Sequence, residues 1–390
     1  MKKEIIISFV FNIIGLFSLF IIDLQIAKMN NDLIISSWAL TKSTLFIGLV
    51  FVLVGLDQAI VRMKLNISQI LLPAVFQFLI IAYFLTFIVN KLSSDFNTIN
   101  IFISLFVLAM LYLFYAEHRL NLNYSKAQFS ANGWKFLFLC LNIVFGYQNY
   151  IQVLPIALSL VFLVIFINRG AFKIFKVVSI KKYKYILTTG LHYFITLLTL
   201  TVTLYIDQLI LNADGKIIES SILYSHITFF VGPNAILIGF GGFLLVPYLK
   251  KHPEKKTILF KKYFWGFFFV TLLIVVASYF FGHIMYFYFK SGQTPSLFLT
   301  IGLSVLAFLR YLYILPSSYV GSFASNLLIR RVAIINTSGI ILYVIVYFSV
   351  SRYFGNYLIA ILSAILTVWI IRIVNEYSAL FKIIENNETI

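Results

Sequence analysis

The sequence predicts an all-α polytopic membrane protein of about twelve transmembrane helices in two parallel six-helix repeats. Three observations carry that prediction. The 390 residues are 61% hydrophobic and only 11% charged, where a soluble domain carries about 25% charge. Apolar runs of roughly 20 residues recur from end to end, each long enough to cross a ~30 Å hydrocarbon layer. Residues 22–62 match residues 206–246 without a gap. Period-2 alternation is absent, and each run far exceeds the ~9–11 residues of a barrel strand.

Taken in order, the spans fall at roughly 5–22, 43–61, 69–90, 99–115, 134–147, 151–168, 185–211, 222–249, 264–289, 297–316, 332–350 and 355–374. The first run ends in Ile22-Asp23-Leu24-Gln25, with no A-x-A cleavage pattern, and reads as a retained span. The fifth is the weakest, because Asn142, Gly146 and Gln148 thin its apolar core. The stretch after Asp32 is also thin, since Ser36, Ser37, Lys42 and Ser43 suit either loop or helix. Cys140 is the single cysteine, which excludes an internal disulfide and a thiolate-built metal site.

In the repeat, Ile22, Asp23, Ile26, Ile34, Ser36, Ser37, Thr44, Phe46, Gly48, Leu53 and Gly55 fall on Ile206, Asp207, Ile210, Ile218, Ser220, Ser221, Thr228, Phe230, Gly232, Leu237 and Gly239. An offset of six spans gives both copies the same orientation, as in transporters whose halves are related by an axis along the membrane normal. The expected division is an N-terminal bundle over 1–168, a basic linker over 169–184 and a C-terminal bundle with a short tail over 185–390. No loop is long enough to fold as a catalytic domain outside the membrane.

The net charge of +17 is explained by placement rather than by nucleic acid. With twelve spans, about 23 Lys/Arg fall on the side of the N-terminus and about 6 on the other, the bias of the positive-inside rule. The densest clusters run from Arg169 to Lys184 and from Lys250 to Lys262. They suit anionic headgroups of the inner leaflet. Both termini are then cytoplasmic, and dropping the fifth helix would put both clusters outside.

Val54-Gly55-Leu56-Asp57-Gln58-Ala59-Ile60-Val61-Arg62 resembles the Gly-Leu-Asp-x-Ala-x-x-Arg end of the second span in bacterial polysaccharide repeat-unit flippases. Tyr205-Ile206-Asp207-Gln208-Leu209-Ile210-Leu211 is similar to the Asp-bearing end of their seventh span. These proteins belong to the multidrug/oligosaccharidyl-lipid/polysaccharide (MOP) exporter superfamily. The Gly-Tyr or Gly-Phe pair usual in their first outer loop is replaced here by Ile34-Ile35-Ser36-Ser37-Trp38. There is also no room for the two extra spans of lipid II flippases.

The resemblance implies a V-shaped alternating-access transporter of the bacterial inner membrane, not an enzyme, with no cofactor. It would flip an undecaprenyl-pyrophosphate-linked oligosaccharide from the inner to the outer leaflet for O-antigen, capsule or exopolysaccharide assembly. Its partners would be that lipid, the bilayer lipids and a polysaccharide polymerase with its chain-length regulator. The physical logic agrees, because sugar and pyrophosphate cannot cross hydrocarbon unaided. Two alternatives stand beside it. One is a cation-coupled multidrug exporter of the same superfamily. The other is a membrane polysaccharide polymerase or glycosyltransferase, which would need a catalytic loop that the sequence lacks.

Four residues are candidates for substrate binding. Arg310 lies in the otherwise apolar stretch Leu303–Leu315, where a charge costs about 2.5–3.5 kcal/mol and normally faces a cavity or a partner. Its planar guanidinium matches pyrophosphate, and a structural pair or snorkelling toward the membrane surface is the competing reading. Arg62 is an entrance contact or a topology anchor. Arg119 and His192 complete the set, His192 lying about seven residues into the seventh span.

Four acids are candidates for ion coupling or charge pairing. Asp57 sits deeper than Arg62 and, five residues away, does not stack on it as an i,i+4 pair. Asp23 and Asp207 occupy equivalent repeat positions near the outer boundary, suited to protonation or to ending a helix in water. Glu117 belongs to a titratable group with His118 and Arg119. Lys28 and Arg372 are further cavity positions, and no His/Cys spacing resembles a metal site.

Overall fold

A computed structural model describes residues 2–91, 97–168, 179–251 and 256–385. Most of the expected basic linker therefore lies outside the described residues. Among those described there are fourteen α-helices and no strand. They are α1 (Lys2–Lys28), α2 (Asp32–Leu53), α3 (Leu56–Met63), α4 (Ile67–Asn90), α5 (Thr98–Leu120), α6 (Tyr124–Phe145), α7 (Tyr150–Asn168) and α8 (Ile180–Ala213). There follow α9 (Ile217–His226), α10 (Gly232–Lys251), α11 (Lys256–Phe289), α12 (Leu297–Phe323), α13 (Asn326–Phe354) and α14 (Tyr357–Glu385). The helices pack into two compact units, residues 1–220 and 221–390.

Asparagine and serine start many of these helices by accepting the orphan N–H groups of the first turn. Asn31 caps α2 through Leu33 N and Ile34 N, Asn66 caps α4, and Asn97 caps α5. Ser179 and Ser325 do the same for α8 and α13.

In the first unit α5 is central, touching α2, α3, α4, α6 and α7. It buries Ile101, Leu105, Leu108 and Phe114 among others. In the second unit α12 plays that part against α10, α11 and α14. The outer faces are apolar too: α4 exposes Phe76, Ile80, Tyr83, Phe84 and Phe87, and α11 exposes Phe269, Leu273, Phe280 and Ile284. Water would penalise such faces heavily, and hydrocarbon does not. Among the described residues eleven helical segments are long and apolar enough to cross a membrane, one of them running Ile217–Gly239 through α9 into α10. The chain is a multi-pass helical membrane protein.

That figure is one short of the expected twelve. The helix outside it is α6, whose 22 residues give a length of about 33 Å at 1.5 Å per residue. Its composition is too polar because the polar side chains point inward. Ser130, Asn132, Lys135 and Asn142 are all buried, against an α1 that supplies Asn12 to Asn132 at 3.3 Å.

Two further elements differ from the sequence expectation. The thin stretch after Asp32 is continuous helix, so the second span begins eleven residues earlier than position 43. The chain then breaks at Val54 (φ 48°) and Gly55 (φ 72°), both left-handed. The motif Leu56–Arg62 thus forms a separate short helix instead of ending a span. Gly55 is needed there twice over. Only glycine takes this φ without penalty, and a Cβ would come within 2.1 Å of the Gly190 carbonyl oxygen. The expected eighth span is likewise divided, by a π-helical turn over Ile227–Val231 between α9 and α10.

Candidate functional site

The charged side chains gather in three places. In the first unit, Asp23 on α1 is buried and accepts hydrogen bonds from two residues of α2. Trp38 Nε1 donates to Oδ1 at 3.0 Å, and Lys42 forms an ion pair with Oδ2. Behind them Lys135 is buried on α6, its Nζ donating to Asn132 Oδ1 at 2.7 Å. Asn132 in turn donates to Gln128 Oε1 at 2.6 Å. Trp38 is held by Phe138 and Tyr150, with ring centroids 5.8 and 5.1 Å away. Asp23 therefore anchors a polar network inside the bundle and does not end a helix in water.

A second group lines a cavity of about 270 Å³ framed by α2, α3, α5 and α8. Asp57 and Arg119 both face it, together with Gln58, Tyr112, Tyr115 and Tyr205. Asp57 Oδ2 accepts from Gln58 Nε2 at 2.8 Å, while Oδ1 is buried with no hydrogen-bond partner among the described residues. The Arg119 guanidinium lies 5.3 Å from the Tyr115 ring centre and near enough to Asp57 to act on it electrostatically. Phe46 and Tyr205 stack across the cavity wall at 5.1 Å and 15°. A carboxylate with a free acceptor atom, four aromatic rings and one cation can hold a small cation or a proton, or accept a polar group of a ligand.

The third group lies in the second unit. Arg310 on α12 is half-buried with its guanidinium 5.3 Å from the Trp369 ring centre. Arg372 on α14 is 2% exposed and sits 5.4 Å from the Tyr313 ring and 5.9 Å from that of Trp369. One helical turn on, Glu376 is buried and accepts from Tyr313 Oη at 3.2 Å. Asn375 Nδ2 donates to Val332 O and Asn336 Oδ1, both at 3.0 Å. Trp369 Nε1 is buried with no hydrogen-bond partner among the described residues. Two guanidiniums thus lie close to aromatic rings, and Glu376 is near enough to Arg372 for the two charges to act on each other.

The remaining sequence-predicted residues are placed apart from one another. Arg62 is exposed on α3, 4.4 Å from the Tyr193 ring. Asp207 on α8 is buried and accepts from Gln208 Nε2 at 3.4 Å. Glu117 is half-buried on α5 and does not line the Asp57 cavity, although it precedes Arg119 by only two residues. His192 belongs to α8, and its side chain lies outside the described residues.

Sequence reasoning missed Lys135, Glu376 and Trp369 and undervalued Lys42 and Arg372. A signal existed for two of them. Arg372 and Glu376 are an i,i+4 pair inside an apolar helix, a spacing that stacks charges on one face. The first unit also joins residues of equal repeat position, on α2 and at the start of α9. Ser36 Oγ lies 3.1 Å from Ser220 Oγ and donates to Asn212 Oδ1 at 2.7 Å.

No protein-family model and no curated protein matches the sequence. Solved structures match it over nearly its whole length. One is a multidrug resistance MATE family transporter of the MOP superfamily in an inward-facing conformation. It is 14% identical over 98% of this chain and 96% of its own, with a TM-score of 0.61. A second is a MATE protein in a bent conformation, 15% identical over 100% and 96%, with a TM-score of 0.51. A third is a MOP superfamily transporter from Pyrococcus furiosus, described as having a binding pocket of reversed polarity, 15% identical over 98% and 96%, with a TM-score of 0.52. At such identities the likeness is one of fold, and the chain has the fold of the MOP superfamily transporters.

Proposed function

We propose that the protein is a transporter of the bacterial inner membrane, with both termini cytoplasmic, that flips lipid-linked oligosaccharide repeat units outward. The observation that carries this reading is the arginine pair of the second unit. Arg310 and Arg372 hold two permanent positive charges inside membrane-crossing helices, where each charge is costly unless it is used or paired. The planar guanidinium matches a pyrophosphate, which accepts its N–H groups in pairs. Asp23, Asp57 and Asp207 are the acids for ion coupling, with Asp57 Oδ1 the oxygen left open to a cation or proton.

The fold supports a second reading equally, a multidrug exporter, since two of the structural neighbours are MATE proteins. Organic cations favour acids over arginines, so the cluster around Arg310 favours the anionic substrate. The test is reconstitution with fluorescent undecaprenyl-pyrophosphate oligosaccharide, scoring outer-leaflet lipid for wild type and Arg310→Ala. Flipping that collapses in the variant is the expected result. Saturable efflux of organic cations, with no flipping of several glycans, would transfer the assignment to the exporter.

A further inference from the structure

Between α13 and α14 lies a cleft of about 470 Å³, separate from the three groups above except that Val332 and Asn375 border it. Leu328, Ile335, Ile370 and Val374 give it apolar walls, and Arg331 and Lys382 are its only charged lining residues among those described. Both cations stand near one end of the helix pair. Arg331 is five residues from the start of α13 and Lys382 three from the end of α14, within about 8 Å of the helix ends at 1.5 Å per residue. Ile370 and Val374 are 52% and 61% exposed on the outside of the bundle. The Asn375 amide N–H groups are committed to α13, which leaves the cations and Ser378 to meet a ligand's polar end.

We infer that this cleft holds an anionic membrane glycerophospholipid, its phosphate between Arg331 and Lys382 and one acyl chain along Ile335, Ile370 and Val374. Charge complementarity selects the headgroup, since two cations without an acid attract an anion and offer a zwitterion little. The apolar wall selects a lipid over a soluble phosphate, which has no use for it. Basic clefts between helices at headgroup depth are the sites where anionic lipids lodge in membrane proteins. The inference does not depend on what the protein transports.

Native mass spectrometry of the full-length protein tests it with phosphatidylglycerol, phosphatidylcholine and inorganic phosphate as probes. Phosphatidylglycerol is retained by wild type in preference to phosphatidylcholine. The R331Q/K382Q double variant binds it about thirtyfold more weakly, at ~1 kcal/mol per cation, while melting normally in neutral detergent. Val374→Trp, which fills the groove and leaves both cations, weakens it as well. Equal retention of phosphatidylcholine, undiminished binding by the double variant, or displacement by millimolar phosphate would each overturn the inference.

Discussion

The two units hold their buried charges differently. In the first, cations meet acids or amides: Lys42 is paired with Asp23, Arg119 shares a cavity with Asp57, and Lys135 is held by Asn132. In the second, Arg310 and Arg372 lie on Trp369 and Tyr313, with Glu376 as the acid of the group. Pairing with a carboxylate cancels charge, whereas stacking on an aromatic face supports charge without cancelling it. The first arrangement suits sites that gain and lose a cation or proton. In the second, Glu376 offsets part of the arginine charge, and the balance is still positive, with two guanidiniums to one carboxylate. The repeat copies one buried acid, Asp23 onto Asp207, but Lys42 and Asp57 fall on His226 and Gly241, so the repeat does not fix the charge pattern.

The largest effect is expected where backbone and packing coincide. Gly55→Val forces a β-branched residue to φ 72° and drives it into Gly190, a cost of about 3 kcal/mol or more. Melting of the detergent-solubilised variant should fall sharply, and an unchanged transition would show that α3 and α8 do not meet there. Next comes Arg372→Met, which strands Glu376 in the interior at about 3–5 kcal/mol. Adding Glu376→Gln should recover most of that loss. If the double variant is no better than the single, the two groups are not coupled.

For the first unit, Asp23→Asn removes the acid from beside Lys42 and leaves a cation inside the bundle, costing about 1–3 kcal/mol. Lys42→Met on that background should restore stability, and failure to do so would assign the cost to the Trp38 bond instead. Trp369→Leu should cost about 0.5–2 kcal/mol through lost cation–π contact and lower any affinity for an anion. Should anion binding survive intact, the contrast between the units has no functional side. The smallest change is expected for Arg62→Gln, about 0.5–1 kcal/mol, because the residue is exposed and its cation–π contact with Tyr193 is a surface one. A larger fall in the melting temperature would show that Arg62 holds α3 in place.

Much of this architecture is legible from the sequence, and the reason is the solvent. Hydrocarbon demands long apolar runs, so the spans announce themselves by composition. α6 is faint because Asn132, Lys135 and Asn142 turn inward, where a neighbouring helix supplies a partner to Asn132. The break at Val54–Gly55 is faint because the apolar run continues through it, and only the packing of Gly190 on Gly55 explains it. At the candidate site, Arg310 stands out as a lone charge in an apolar helix. The meeting of Asp57 with Arg119 leaves no such trace, since α3 and α5 are joined by tertiary packing that no local spacing records.

The close approach of the Ser36 and Ser220 hydroxyls has a consequence of its own. These two positions are copies of each other, so a residue type kept at both must be complementary to itself, as at the axis of a symmetric dimer. Serine satisfies that condition because one hydroxyl both donates and accepts. Aspartate or lysine in both copies would set like charges face to face. The alphabet open to such a pair of positions is therefore short, and a change at one is tolerated only when the other can answer it.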